Sequence, residues 1–322
     1  TPDTLDELRE LPKRVAILGA TPRACELAQA FRRYGSEVFL VSDDERLLAD
    51  EEPLVAGAVT RALAELGVRL HLGWQCTAAA STGRARSLVI AQGSAQRKLI
   101  VDQIVLALPR RANLERLGLA AAGIQLLDRD GRAAVQVDSR LATTNPRVFA
   151  VGDVCGSFRG PEALARMCKV AVQNAVGVTR PRFEKSLVPR FVATDPEIAQ
   201  LGLTRAAART RKIELLSWLV PFADDEAPRQ LRADEGTGDA DLPGLGREFA
   251  LLHTLRDQPD RVAGATVVGA RAAEALALIA LMMAEELPLS TASGVPTLSG
   301  TFGRALARLS LVVEQNWRAP AG

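Results

Sequence analysis

Histidine, tyrosine and cysteine are scarce in this chain, with two, one and four residues respectively among 322. That supply excludes a histidine-rich metal centre, and no Cys/His cluster has zinc-ligand spacing. The cysteines Cys25, Cys76, Cys155 and Cys168 form no CxxC pair, and so few thiols point to a reducing, cytoplasmic compartment. Aromatics make up only 4%, so the core must be built from Ala, Leu and Val. Neither sign of charge dominates: the net charge is +2, acids and bases alternate, and no basic patch offers nucleic acid or an anionic membrane an electrostatic partner. Long hydrophobic runs are missing too. The most apolar stretch, 272–289, is interrupted by Glu274, Glu285 and Glu286, and reads as a buried helix rather than a membrane span. No signal peptide is expected, and the first residue is Thr1 rather than Met, as in a piece of something longer.

What is present is ordinary globular composition, 48% hydrophobic and 24% charged, with length enough for two domains or so. Residues 13–18 form a short apolar run ended by Gly19, the pattern of a buried parallel strand. Ala24, Leu27, Ala28 and Phe31 then recur at helical spacing, and 37–41 is a second strand. A helix is predicted from Pro53 to about Leu66, and a third strand at 68–72. Strand, helix, strand, helix, strand is the mononucleotide-binding unit of a doubly wound Rossmann-like fold. From 74 to 108 the pattern changes to short strands, at 86–91, 97–101 and 103–108, suggesting an antiparallel meander and a return strand. Strands are expected again at 133–137 and 147–151, and a helix at 161–176. A break at Arg180-Pro181-Arg182 opens the last part, with strands at 188–193, 212–220, 248–255 and 261–268 and closing helices at 272–286 and 301–314. The Asp-, Gly- and Pro-rich stretch 224–246 reads as a surface loop.

The first turn, Gly19-Ala20-Thr21-Pro22-Arg23-Ala24, lies between strand and helix, where a pyrophosphate-binding loop belongs. Such a loop needs a glycine for the turn, a second for backbone approach to phosphate, and a third small residue for packing. Gly19 and Ala24 fill the outer roles, while Thr21 stands where the second glycine is wanted. The acid that grips the adenosine ribose is replaced by Ser42, which keeps a hydrogen bond and loses the charged bidentate contact. Two readings follow: weakened NAD(P) binding with Arg23 adding a phosphate contact, or a Rossmann fold kept for packing.

Four further segments, in order, carry a resemblance. Ala107-Leu108-Pro109-Arg110-Arg111-Ala112-Asn113 is similar to A-x-G-R-x-x-N, with Pro109 for glycine. The segment from Thr144 to Val154, which contains Ala150-Val151-Gly152-Asp153, resembles T-x-x-P-x-I-Y-A-x-G-D. The segment from Val188 to Ala199, with Thr194-Asp195-Pro196-Glu197, resembles the opening of a dimerisation domain, and Gly264 to Gly269 with Glu274 resembles its central strand and helix. On these the chain resembles the pyridine nucleotide-disulfide oxidoreductases of the dihydrolipoamide dehydrogenase and mercuric reductase type.

The resemblance implies an α/β fold in three parts: a Rossmann-like NAD(P)-binding domain at 11–113, a remnant of the FAD domain at 114–182, and an α+β dimerisation domain at 183–313. It implies FAD, with Asp153 on the ribityl chain, and NAD or NADP at Gly19, Thr21, Arg23, Ala24 and Ser42. It also implies a homodimer in which each subunit's base completes its partner's site. Two departures stand against it. The family's N-terminal flavin segment, with its own glycine fingerprint and CxxxxC pair, is not among these residues, so an upstream FAD-binding segment is a possible partner. The family's H-P-T-x-S-E proton relay reads Val295-Pro296-Thr297-Leu298-Ser299-Gly300, which has neither imidazole nor orienting carboxylate. No residue is therefore assigned a catalytic role. The chain is read as a fragment or divergent member, probed against the alternative of a non-catalytic dimerisation or nucleotide-sensing module. His71 and His253 are read as structural or surface residues, and the cysteines as packing residues, with the helix dipole free to lower the pKa of Cys25.

Overall fold

The computed structural model describes residues 1–83, 85–129, 131–156, 160–177, 179–184, 187–223, 225–231, 246 and 248–318. It divides into two compact units, one made of 1–109 with 191–322 and the other of 110–190.

In the first unit β1 (Arg14–Leu18), β2 (Glu37–Ser42), β3 (Arg69–Leu72) and β7 (Gln103–Leu106) form a parallel sheet in the order β3-β2-β1-β7. Helices α1 (Pro22–Arg33) and α2 (Pro53–Glu65) connect its strands, each opening on a proline whose missing N–H is one the first helical turn cannot use. Between β3 and β7 runs an antiparallel meander of β4 (Gln75–Thr82), β5 (Ala85–Gln92) and β6 (Ala95–Val101). It covers one face of the parallel sheet, burying Ala16 and Phe39 against Leu88 and Val101, and Val41 against Trp74 and Ile90. The helices cover the other face, where Val15, Ile17, Val38 and Leu40 meet Ala24, Ala28, Val55 and Val59.

The 191–322 part is a six-stranded sheet in the order β10-β11-β15-β14-β12-β13, built from β10 (Arg190–Val192), β11 (Glu197–Gly202), β12 (Leu215–Pro221), β13 (Arg229–Leu231), β14 (Phe249–Leu255) and β15 (Val262–Gly269). Its strands β12, β14 and β15 are largely apolar because both faces are covered. Ile198, Leu219, Phe249, Leu251 and Val268 point to α1 and α2 and share their core. Trp218, Val220, Leu252 and Val267 point the other way, to α5 (Ala272–Ala284) and α6 (Phe302–Arg318). The antiparallel pair β11/β15 comes unusually close at one end: a Cβ at Gly264 would stand 2.3 Å from the Leu203 carbonyl oxygen, so only glycine fits there.

The second unit holds a two-stranded ribbon of β8 (Leu126–Arg129) and β9 (Arg132–Val135), and α3 (Pro161–Val176). Ala163, Met167 and Ala171 line the buried side of α3 and pack with Leu141, Cys155, Phe183 and Val188.

Several details differ from the sequence reading. No strand forms at 147–151, where Phe149 makes a single bridge to Ala142, because the tight turn at Asn145 leaves no room for a ladder. A short helix α4 (Arg205–Thr210) and strand β13 were not anticipated. α4 is capped by Thr204, whose hydroxyl accepts the Ala207 N–H. β13 falls inside the stretch expected to be loop, of which residues 224 and 232–245 lie outside the described residues. Among the described residues no helix is long and apolar enough to cross a membrane.

Phe249 is fully buried between α1, α2 and the six-stranded sheet. Phe249→Ala should cost about 3–5 kcal/mol, read as a lowered midpoint in urea denaturation. A change under about 1 kcal/mol would mean that the two sheets do not share one cooperative core.

Candidate functional site

The parallel sheet has one topological switch point, between β1 and β7, where the chain leaves β1 toward β2 on one side and returns from the meander on the other. Ligands of doubly wound folds sit in that crevice, outside the carboxyl ends of the strands. Gly19, at φ +126°, makes the turn out of β1, and a Cβ on it would stand 2.6 Å from the Ala107 carbonyl oxygen at the end of β7. Its role is therefore close approach between neighbouring strand ends. Thr21 caps α1: its hydroxyl accepts the Ala24 N–H at 3.2 Å and donates to the Ala107 carbonyl at 2.7 Å. Ala24 is fully buried and lets the helix lie on the sheet. The guanidinium of Arg23 pairs with Glu26 at 3.3 Å on the exposed face of α1, and the other oxygen of Glu26 accepts the Ala193 N–H.

Ser42 ends β2 and is buried. Its hydroxyl donates to the Asp44 carboxyl at 3.2 Å and accepts the Asp44 N–H at 3.1 Å, so its one donor is used within its own turn. The structure thus brings Gly19, Thr21 and Ala24 together at the crevice, with Arg23 engaged on the helix surface and Ser42 engaged by its own loop.

Asp153 lies in the second unit, on a 3-10 turn that starts at Gly152 (φ +76°), with its side chain exposed. Each hydrogen bond accepted by this exposed carboxyl group is worth about 1 kcal/mol net, a small part of what binding a dinucleotide needs. No chemical step is derived through this turn or through the crevice. The turn at 295–300 precedes α6 with Val295 exposed and Gly300 at φ +70°. Neither residue carries a proton acceptor.

The sequence reading missed a polar cluster buried within the first unit. Glu52, at the N-terminus of α2, accepts the Arg205 backbone N–H at 2.7 Å and the Arg205 Nε–H at 3.0 Å. His253 on β14 places Nε2 3.6 Å from the same carboxyl group, and its Nδ1 is 3.0 Å from the Ser217 hydroxyl on β12. All four residues are less than a tenth exposed. The Ser217–His253–Glu52 order invites comparison with a nucleophile relay, but Ser217 is shut off from solvent, and the row is a structural link. Local pattern could not reveal it, since its members come from four separate elements and only the tertiary fold aligns them. Beside it, a cavity of about 770 Å³ opens between the 44–53 loop and α4, lined by Asp44, Glu45, Asp50 and Glu51 together with Arg46 and Arg209.

The remaining candidates are packing residues or surface residues. Cys25 is fully buried, and burial pushes its thiol up to about 12, overriding any help from the helix N-terminus. Cys155 is buried, whereas Cys168, expected in the core, is exposed because it falls on the outer side of α3. His71 is buried rather than at the surface, stacked on Phe39 and edge-on to Trp74, and its pKa is lowered first by burial and then by Arg97 and Arg69. Among the described residues no group of three or more His, Cys, Asp or Glu side chains could hold a metal ion.

Burial drives the pKa of His253 down from 6.5 to about 4, with Glu52 opposing and Arg205 adding to the fall. Between those two values the unfolded chain binds a proton that the folded protein refuses. The neutral ring's contribution is therefore intact above about pH 6.5 and is lost as the pH falls toward 4, by about 3 kcal/mol at most. Urea denaturation from about pH 7 to about pH 4.5 should show this loss, and His253→Gln should flatten it; an unchanged slope in the variant would assign the acid limb to other groups.

Residues 3–175 match the family described as pyridine nucleotide-disulphide oxidoreductase, and residues 188–306 match its dimerisation domain. A mercuric reductase of Bacillus cereus is 28% identical over 314 residues, which span 96% of this chain and 48% of that protein. A dihydrolipoyl dehydrogenase of Thermus scotoductus is 31% identical over 273 residues, spanning 83% of this chain and 54% of the relative. The chain thus spans about half the length of these curated relatives. Among solved structures, LpdA from Mycobacterium tuberculosis superposes with a TM-score of 0.78 at 20% identity, over 96% of this chain and 63% of that one. The HOCl-induced flavoprotein disulfide reductase RclA from Escherichia coli superposes with a TM-score of 0.74 at 22% identity, over 95% and 66%. At these identities the structural matches show a common fold.

Proposed function

Because the chain belongs to the pyridine nucleotide-disulphide oxidoreductase family, we propose that it is the nicotinamide-type and interface portion of a divergent FAD- and NAD(P)-dependent member that does not itself run the disulfide chemistry. The observation that carries this reading is the 295–300 turn, Val-Pro-Thr-Leu-Ser-Gly. Reduction of a disulfide needs a group that takes and returns the thiol proton, and neither Val295 nor Gly300 can do so. None of the four cysteines forms a disulfide, none is spaced CxxxxC, and Cys25 is held protonated by burial. On this reading the flavin is bound by residues that the longer relatives possess outside the matched portion, Asp153 adds one contact to it, and dinucleotide binding at the crevice is weak. Electrons from reduced nicotinamide would pass through flavin to an acceptor other than a protein dithiol, in the cytoplasm.

A visible absorption spectrum of the purified chain, followed by titration with NADH and NADPH, tests this. No flavin band in stoichiometric amount and no turnover of a disulfide substrate are expected. A near-stoichiometric flavin band with NAD(P)H-dependent disulfide reduction would overturn the reading.

The same proposal makes the chain a homodimer. Supporting it are the match to the dimerisation domain and the apolar side chains Leu278 and Leu281 exposed on α5, with Leu298 exposed in the 295–300 turn. Leu281→Asp should shift the chain from dimer to monomer in sedimentation equilibrium while leaving the circular dichroism spectrum intact. A wild-type chain that sediments as a monomer at micromolar concentration would remove the dimer from the proposal.

A further inference from the structure

We propose that the Thr21 side chain is a latch across the β1/β7 crevice, and that it, more than the missing ribose carboxylate, keeps a diphosphate-bridged dinucleotide out. This rests on the reading of residues 11–113 as a dinucleotide-binding type of unit, and it names the residue that sets the weak affinity.

A pyrophosphate at a helix N-terminus is held by first-turn N–H groups that face it and by a backbone with no side chain in the way. α1 offers little of either. Pro22 has no N–H, the Ala24 N–H is taken by the Thr21 hydroxyl, and the Cys25 N–H goes to the Thr21 carbonyl oxygen. That leaves the Arg23 amide. The Thr21 hydroxyl also reaches across the crevice to the Ala107 carbonyl at 2.7 Å, tying the end of β1 to the end of β7 where the diphosphate would lie. With one hydrogen bond donated and one accepted, the hydroxyl is satisfied and resists displacement.

The backbone does not require threonine here. Thr21 sits at φ −74°, ψ 162°, a conformation open to any residue. The turn's conformational demand falls on Gly19 instead, at φ +126°. Glycine at position 21 would therefore keep the turn, release the Ala24 N–H and remove the bridge to Ala107. Glycine is nearly as good as threonine at a helix N-cap, so the variant should fold.

The test is titration of wild-type chain, Thr21→Gly and Thr21→Ala with NADH, NADPH and AMP, following nicotinamide fluorescence or heat. Thr21→Gly should bind NADH or NADPH at least about tenfold more tightly than wild type, a difference of about 1.4 kcal/mol. AMP, which lacks the bridging diphosphate, should change by less than about twofold. Thr21→Ala should move in the same direction by a smaller factor, and it carries the test if the glycine variant does not fold. The latch is disproved if neither variant gains affinity for the dinucleotides, or if AMP tightens as much as they do. The flavin spectrum and disulfide assay of the wild-type chain judge the oxidoreductase reading separately, since the latch is measured as a difference between variants.

Discussion

Helices α1 and α2 are buried on two sides, and that constraint organises the first unit. A helix beneath a parallel sheet normally shows its outer face to water; here that face meets a second sheet of six strands. Leu27, Phe31, Val55 and Val59 belong to the same continuous core as Leu219, Phe249, Leu251 and Val268. With the meander on one flank and α5 and α6 on the other, two sheets are packed around a shared helical layer. Apolar burial of this extent is the dominant favourable contribution to the fold.

Polar contacts then fix the registry that apolar packing leaves loose. Gln29 on α1 exchanges two hydrogen bonds with the backbone of Asp195, and Arg33 pairs with the Asp195 carboxyl group. At the far end Glu52 gathers Arg205 and His253 around one buried carboxyl group. A buried charge cluster contributes little net stability against an apolar replacement, yet removing a single partner leaves a charge unpaired and costs several kcal/mol. Its effect is to allow one docking of the six-stranded sheet on the helices.

The functional positions share a physical theme. Where the fold could receive a ligand or move a proton, the side chains present are satisfied by the chain itself or are chemically inert. Thr21 bonds to Ala24 and Ala107, Ser42 bonds to Asp44, and Val295 and Gly300 carry no titratable group. Their packing frame is intact, with Gly19 and Ala24 still performing the close approaches that strand and helix need. The packing roles of these positions therefore do not depend on a bound ligand.

The sequence by itself determined the α/β class, the strand–helix alternation of the first sheet, the apolar strands β12, β14 and β15, and the family, because those follow from periodicity and from motifs contiguous in the chain. It also placed Gly19, Thr21, Ala24 and Ser42 near one crevice, since strand–turn–helix patterning locates a loop without any knowledge of its partners. Tertiary structure alone decided what those side chains do. That Thr21 reaches Ala107, 86 residues away, and that Glu52 meets Arg205 153 residues on, cannot be read from local pattern, because each contact depends on which elements the fold sets side by side. The same holds for His253, an unremarkable residue in an apolar strand until burial, against the pull of Glu52, drives its pKa down. Short elements such as α4 and β13 escaped the sequence for a related reason: segments of three to six residues have too few periods to signal, and they form because Thr204 caps one and β12 pairs with the other.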